Sequence, residues 1–197
     1  MGGALTIRPA TTADHDAIAR ICLLTGDGGA DATGVFGDDQ AVADVYASPY
    51  LHGPSCFALV WDEGEGAVGY VVGTDDTRAF QDWFVKEWWP SRPPREPRTQ
   101  GDRWLLPAAL DPDRMLIDAV AQYPAHLHID LLPAAQGRGA GRALIDAAVA
   151  GMRARGVPGV HLAASKANAG AQAFYPRVGF APVAADHDSV VFARSCM

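Results

Sequence analysis

Hydrophobic and polar positions along this chain change period several times, and the changes mark out alternating strands and helices. Leu5, Thr6, Ile7 and Arg8 alternate and stop at Pro9, which predicts a short first strand. Thr11 and Asp14 have the spacing of a capping box, with Asp in place of the usual Glu. Ala17, Ile18, Ile21, Cys22 and Leu24 then form the apolar face of a first helix. Residues 26–39 are rich in Gly and Asp, with little to bury, and read as a mobile loop; Asp27, Asp31, Asp38 and Asp39 lack the spacing of a calcium loop. Residues 40–47 suit a short second helix. Two β-rich runs, 56–61 and 67–74, flank an acidic glycine loop and predict a hairpin.

The following stretch has a different texture. Phe80, Trp83, Phe84, Trp88 and Trp89 fall near helical spacing, residues 90–98 are rich in Pro and Arg and read as a stiff surface linker, and Trp104, Leu105 and Leu106 precede a further predicted helix over 111–120. Leu127, Ile129, Leu131 and Leu132 then suit a mostly buried strand, with His128 and Asp130 at alternate positions. A helix follows over 139–155, carried by Leu144, Ile145, Ala148, Val149 and Met152. Residues 180–183 and 189–193 predict two last strands joined by a turn at 186–188.

The chemistry concentrates between the fourth strand and its helix, at Gln136, Gly137, Arg138, Gly139, Ala140, Gly141 and Arg142. A strand, a glycine turn and a helix N-terminus present free backbone N–H groups at the positive end of a dipole, a site for phosphate oxygens. Arg138 and Arg142 add side-chain charge. The glycines fall at every second position, so they do not fit the dinucleotide fingerprint, and the P-loop lysine is absent.

Gln-x-x-Gly-x-Gly after an apolar strand and Pro133 instead resembles the pyrophosphate loop of the GNAT acetyltransferases. A second block strengthens the likeness: Asn168, Ala171, Tyr175, Gly179 and Phe180 reproduce that family's Asn-x-x-Ala-x-x-x-Tyr-x-x-x-Gly-Phe pattern. The resemblance implies an α/β fold, the GNAT acyl-CoA N-acyltransferase fold, with a central mixed, mostly antiparallel sheet flanked by helices. Residues 75–124 would be an insertion between the third and fourth strands, where the family normally has a short connection. The pattern Phe80, Trp88, Trp89, Pro90, Leu116, Tyr123, Pro124 and then 126–130 is further similar to the C-terminal acetyltransferase-like domain of animal O-GlcNAcases and its stand-alone bacterial relatives. In the animal domain the CoA loop has degenerated, whereas here residues 136–142 are intact.

Composition sets bounds. With 197 residues, 49% of them hydrophobic and 20% charged, the chain suits one domain with one sizeable core. Cys22, Cys56 and Cys196 are few, scattered and odd in number, which speaks against a disulfide framework or a zinc site and for reduced thiols in a cytoplasmic protein. No apolar run is long enough to span a membrane. A net charge of −7 argues against nucleic acid as a partner.

The resemblance implies acetyl-CoA as cofactor and an amine as acceptor. A lysine-like amine is uncharged in only about one molecule in 2,500 at pH 7, a cost of roughly 4.6 kcal/mol that a base can offset. GNAT bases lie on or near the fourth strand, which offers His126, His128 and Asp130 on one face of an ideal strand. Fourth strands of the family carry a bulge that alters which side chains face the substrate, so the choice between Asp130 and His128 stays open. Tyr175 stands at the family position of the general acid that protonates the departing thiolate. Asn168 is a helix N-cap to which the resemblance adds a cofactor contact. Backbone groups of Leu131 and Leu132 would pair with the pantetheine amides, and a nearby N–H would hold the oxyanion. Trp83, Trp88 and Trp104 either pack the insertion, line the acceptor pocket or form a homodimer contact. Two other readings of the whole chain remain beside catalysis: a silent acetyl-CoA-binding module, and a protein-interaction module.

Overall fold

The computed structural model describes residues 6–197, so Leu5 of the first predicted strand lies outside the described residues. Seven strands form one sheet: β1 (Thr6–Pro9), β2 (Cys56–Asp62), β3 (Ala67–Thr74), β4 (Ala125–Leu131), β5 (Gly159–Ser165), β6 (Ala181–Ala185) and β7 (Ser189–Ser195), in the spatial order β1-β2-β3-β4-β5-β7-β6. All neighbours are antiparallel except β4 and β5, which run parallel and pair only at Ala125–Val160 and His126–His161. Beyond those two pairs the strands part, opening the middle of the sheet into a cleft.

Helices cover both faces. α1 (His15–Thr25) and α2 (Gln40–Tyr46) lie on one face with α3 (Thr77–Trp83), which continues as a π turn over Phe84–Trp88, and α4 (Asp102–Leu110). Their core is Ile18, Ile21, Val42, Tyr50, Tyr70, Val72, Phe80, Phe84 and Leu105 among others. α5 (Ala140–Ala154) and α6 (Ala169–Arg177) belong to a second core, with Val71, Leu127, Leu144, Ile145, Met152, Val160 and Phe192. Strand alternation accounts for the division: Tyr70 and Val72 point one way along β3 and Val71 the other.

The capping box forms: the Thr11 N–H donates to the Asp14 carboxylate at 2.7 Å. Arg8 adds a clamp absent from the sequence reading, donating to Asp14 at 2.7 Å and to Asp62 at 2.7 Å, which ties β1 to the entry of α1 and the end of β2.

Two expectations need correction. The 26–39 loop does bury apolar surface, because Ala32 and Phe36 are 0% and 3% exposed. The helix predicted over 111–120 lies earlier, at Asp102–Leu110, and the later stretch holds only a short 3-10 turn at Asp118–Ala121. The Asp102 carboxylate anchors the observed helix by accepting the N–H groups of Arg98 at 2.8 Å and Thr99 at 2.9 Å before it, and of Gly37 at 3.0 Å from the loop. Asp111, by contrast, bends its side chain onto the Asp113 N–H at 2.9 Å, a local turn that competes with helix.

Candidate active site

β4 ends at Pro133, and the chain turns through Gly137 (φ +72°) and Gly139 (φ +85°) into α5. A Cβ at either glycine would meet nothing within 4 Å, so the left-handed backbone, not space, requires glycine there. Gly141 is small for another reason: a Cβ would stand 3.1 Å from the Phe174 ring. The first bond of the new helix runs from the Ala143 N–H to the Gly139 carbonyl at 3.0 Å. Among the described residues, the N–H groups of Gly137, Arg138, Gly139, Ala140, Gly141 and Arg142 have no acceptor. Six free donors at the positive end of a 15-residue helix fit the diphosphate that the sequence pattern implies.

The flanking side chains are engaged within the protein. Arg138 donates to Glu63 at 2.7 Å, Arg142 to the Arg177 carbonyl at 2.6 Å, and Gln136 to the Leu131 carbonyl at 3.0 Å.

The glycine turn forms one end of a cleft of about 820 Å³. Its walls include Cys22 and Thr25 of α1, Gly28 and Gly29 of the loop, His128 and Asp130 of β4, and Tyr175 of α6. The β3–β4 ladder runs in unbroken register from Gly69–Leu131 to Thr74–His126, so the expected bulge is not in that ladder. His126, His128 and Asp130 therefore share the α1 side of the sheet. The Leu132 N–H is taken by the Val68 carbonyl at 2.9 Å, which removes it from the set free to pair with a ligand. Strict antiparallel alternation then turns the backbone groups of Leu131 and Ile129 toward the gap between β4 and β5. The sequence pattern placed Ile129 in this strand, but the residues named for backbone pairing with a ligand were Leu131 and Leu132, not Ile129.

Burial shapes the titratable groups. The Asp130 carboxyl is pushed up to about 6 by burial, and the Tyr70 and Thr25 hydroxyls beside it restrain the rise. The Tyr70 hydroxyl donates to Asp130 from the directly opposite position on β3. His128 is pushed down to about 3 by burial and by the nearby Arg114 charge. His126, fully enclosed, is held well below the usual histidine range by burial. The Tyr50 hydroxyl joins the two imidazoles, 2.7 Å from His126 Nε2 and 3.0 Å from His128 Nε2. The Thr77 hydroxyl stands 2.9 Å from His126 Nδ1 and 2.6 Å from the Pro124 carbonyl.

Burial, and then the charge of Asp130, raises the Tyr175 phenol above its usual range, so it keeps its proton at neutral pH. Asn168 caps α6 by accepting the Ala171 N–H at 2.9 Å, and its amide nitrogen faces Gly29 across the cleft mouth. The large aromatics of residues 75–124 lie elsewhere: Phe80 and Phe84 are in the core, Trp88 donates to the Asp44 carbonyl at 2.8 Å, and Trp104 packs edge-on to Phe36. None of Trp83, Trp88 and Trp104 lines the cleft. The aromatics packed against His128 are Tyr46, which lines the cleft, and Tyr50, which is buried behind it; sequence spacing singled out neither.

A family model described as "Acetyltransferase (GNAT) family" matches residues 31–180. The chain belongs to this family of acetyltransferases. The solved structure of a protein named SsHAT superposes with a TM-score of 0.90 at 38% identity, covering 98% of this chain and 99% of the other. A PaiA N-acetyltransferase from Thermoplasma acidophilum, solved in complex with coenzyme A, shares the fold at a TM-score of 0.63 and 12% identity, covering 98% and 99% of the two chains. A mycothiol acetyltransferase from Beutenbergia cavernae is 41% identical over a stretch that covers 43% of this chain and 32% of that protein's length. Among the described residues, no helix of this GNAT protein is long and apolar enough to cross a membrane.

Proposed function

We propose that the protein transfers an acetyl group from acetyl-CoA to a primary amine by direct attack within a ternary complex. The observation that carries this reading is the row of acceptor-free N–H groups at 137–142, of which Gly137, Gly139, Gly141 and Arg142 line the same cleft as Asp130 and Tyr175. Acetyl-CoA supplies an activated thioester. The N–H groups of 137–142, with Arg138 and Arg142 released from their present partners, hold its diphosphate. Leu131 and Ile129 offer the backbone groups along which the pantetheine arm pairs, and one of their N–H groups receives the developing oxyanion.

Asp130 takes the proton of the attacking amine. At about 6 it is largely ionised at pH 7.5, yet more basic than an ordinary carboxylate. His128, at about 3, is a weaker base by three units, about 4 kcal/mol, so the full transfer falls to Asp130. Tyr175, protonated and without a hydrogen-bond partner among the described residues, donates to the departing sulfur.

The finer kinship, with the O-GlcNAcase-type domain, rests on the aromatic pattern of the insertion, whose Phe80 and Trp88 belong to the core that backs the acceptor wall. A cytoplasmic setting and a single-domain organisation complete the reading.

The test is coenzyme A release with a panel of primary amines, alongside calorimetric titration with acetyl-CoA. Tyr175→Phe should lower kcat on the order of 10²-fold with acetyl-CoA affinity kept. Binding without turnover by any amine would leave a silent acetyl-CoA-binding module, and no binding at all would refute the reading.

A further inference from the structure

Hydrogen-bond donors along Tyr50, His126 and Thr77 can be assigned by counting protons from one end. The Pro124 carbonyl has no hydrogen, so the Thr77 hydroxyl must donate to it. That hydroxyl has one hydrogen, so at its other contact it accepts, and His126 Nδ1 carries the proton. His126 is enclosed and neutral, hence its Nε2 is bare and accepts from the Tyr50 hydroxyl. With its hydrogen committed, the Tyr50 oxygen accepts from His128, which places a proton on His128 Nε2. The sequence closes with one arrangement: His128 Nε2–H to Tyr50 O–H to His126 Nε2, then His126 Nδ1–H to Thr77 O–H to Pro124 C=O.

Its outcome is felt at the other nitrogen of His128. Neutral and protonated on Nε2, His128 has a lone pair on Nδ1, and no protein donor meets that atom among the described residues. Nor is the atom one of the enclosed polar atoms without a partner, and the residue lines the cleft. The groups around the imidazole from other elements are Tyr46 and Tyr50, with the Arg114 charge and His161 behind them; none is a carboxylate that would reverse the tautomer.

We infer that Tyr50, backed by His126 and Thr77, is a positioning residue that fixes His128 in the Nε2–H tautomer, so that its bare Nδ1 accepts an N–H of the acceptor amine. This rests on the acetyl-transfer reading above and adds to it a division of labour on β4. His128 aims the amine, by holding one of its hydrogens, while Asp130 removes another. The hydrogen held by His128 stays on the nitrogen through to the amide product, and only a primary amine leaves an N–H there once Asp130 has taken its proton, so a secondary amine is disfavoured.

The decisive measurement needs no turnover. Long-range ¹H–¹⁵N correlation spectra of the full-length protein labelled at histidine report each tautomer. His128 is expected as Nε2–H and His126 as Nδ1–H across pH 6–8. In Tyr50→Phe the His128 signal should move toward a mixture of tautomers. With an amine that turns over, KM for the amine should rise on the order of tenfold while acetyl-CoA affinity is unchanged. Thr77→Ser keeps the terminal hydroxyl and should preserve the wild-type pattern, whereas Thr77→Val should not. Finding His128 as Nδ1–H in the wild type would overturn the inference, as would an unaltered His128 signal in a folded Tyr50→Phe protein. Failure of acetyl transfer with correct tautomers would strike the proposed function alone.

Discussion

The Tyr70 hydroxyl and the Asp130 carboxylate face each other across the β3–β4 ladder, and the tyrosine donates to the acid from a fully buried position. This bond opposes the effect of burial on Asp130, which otherwise favours the protonated acid. Replacing Tyr70 with Phe leaves burial less opposed, so the Asp130 pKa rises above about 6. If the carboxylate is the base, the acid limb of the kcat/KM profile moves to higher pH. Activity of the variant should be depressed most near pH 6.5 and recover toward pH 8, as a pH–rate series would record.

The same group makes a stability prediction of opposite character. A carboxyl whose folded pKa is raised must give up its proton in a disfavourable place, so its contribution to stability is fullest at low pH and declines as pH rises from about 4 to about 6. Asp130→Asn removes that liability and can still accept the Tyr70 hydrogen. At pH 8 it should be more stable by about 1–3 kcal/mol, discounted toward the lower figure where cleft water screens the charge, yet lose acetyl transfer. Chemical denaturation of both proteins at pH 4 and pH 8 tests this, since the gain should vanish at the lower pH.

Gly139 and Gly141 should fail in different ways. Gly139→Ala meets open space but must hold φ near +85°, which costs about 1–2 kcal/mol and deforms the turn, so acetyl-CoA binding should weaken. Gly141→Ala has an ordinary helical backbone but presses on Phe174, beside Tyr175, so its thermal stability should fall by several degrees. Calorimetric titration and thermal melts of the pair separate the two effects.

Asp102 joins the loop, the Pro-rich segment and α4 through backbone N–H groups of Gly37, Arg98 and Thr99. Asp102→Ala leaves these donors without an acceptor in a buried place and should cost about 3 kcal/mol. Limited proteolysis should then cut first within residues 26–39 or 90–101.

Local signals made the glycine-turn side of the cleft legible in the sequence. A glycine turn after an apolar strand, Asn168 at a helix start and Tyr175 one helix later all depend on near neighbours in the chain. The side of the cleft around His128 and Asp130 depends on meetings that leave no local period. Tyr50 reaches His126 across a sequence separation of 76, and Tyr70 reaches Asp130 across one of 60. Aromatic spacing drew attention to Trp83 and Trp88, but helical periodicity reports burial, and here that burial is packing of residues 77–89 into the core they share with α1 and α2. The misplaced helix over 111–120 has a similar origin: its apolar residues were visible, while the N–H donors that converge on Asp102 to anchor Asp102–Leu110, Gly37 among them from far along the chain, were not.

β4 carries its two duties on different surfaces. Leu127 faces the core beneath α5, while His126, His128 and Asp130 face α1 and α2. If the proposed roles hold, selection can rework the wall that meets the acceptor, one side chain at a time, without touching the packing beneath α5. A single strand with two independent sides gives such a scaffold room to change its customer while keeping its donor.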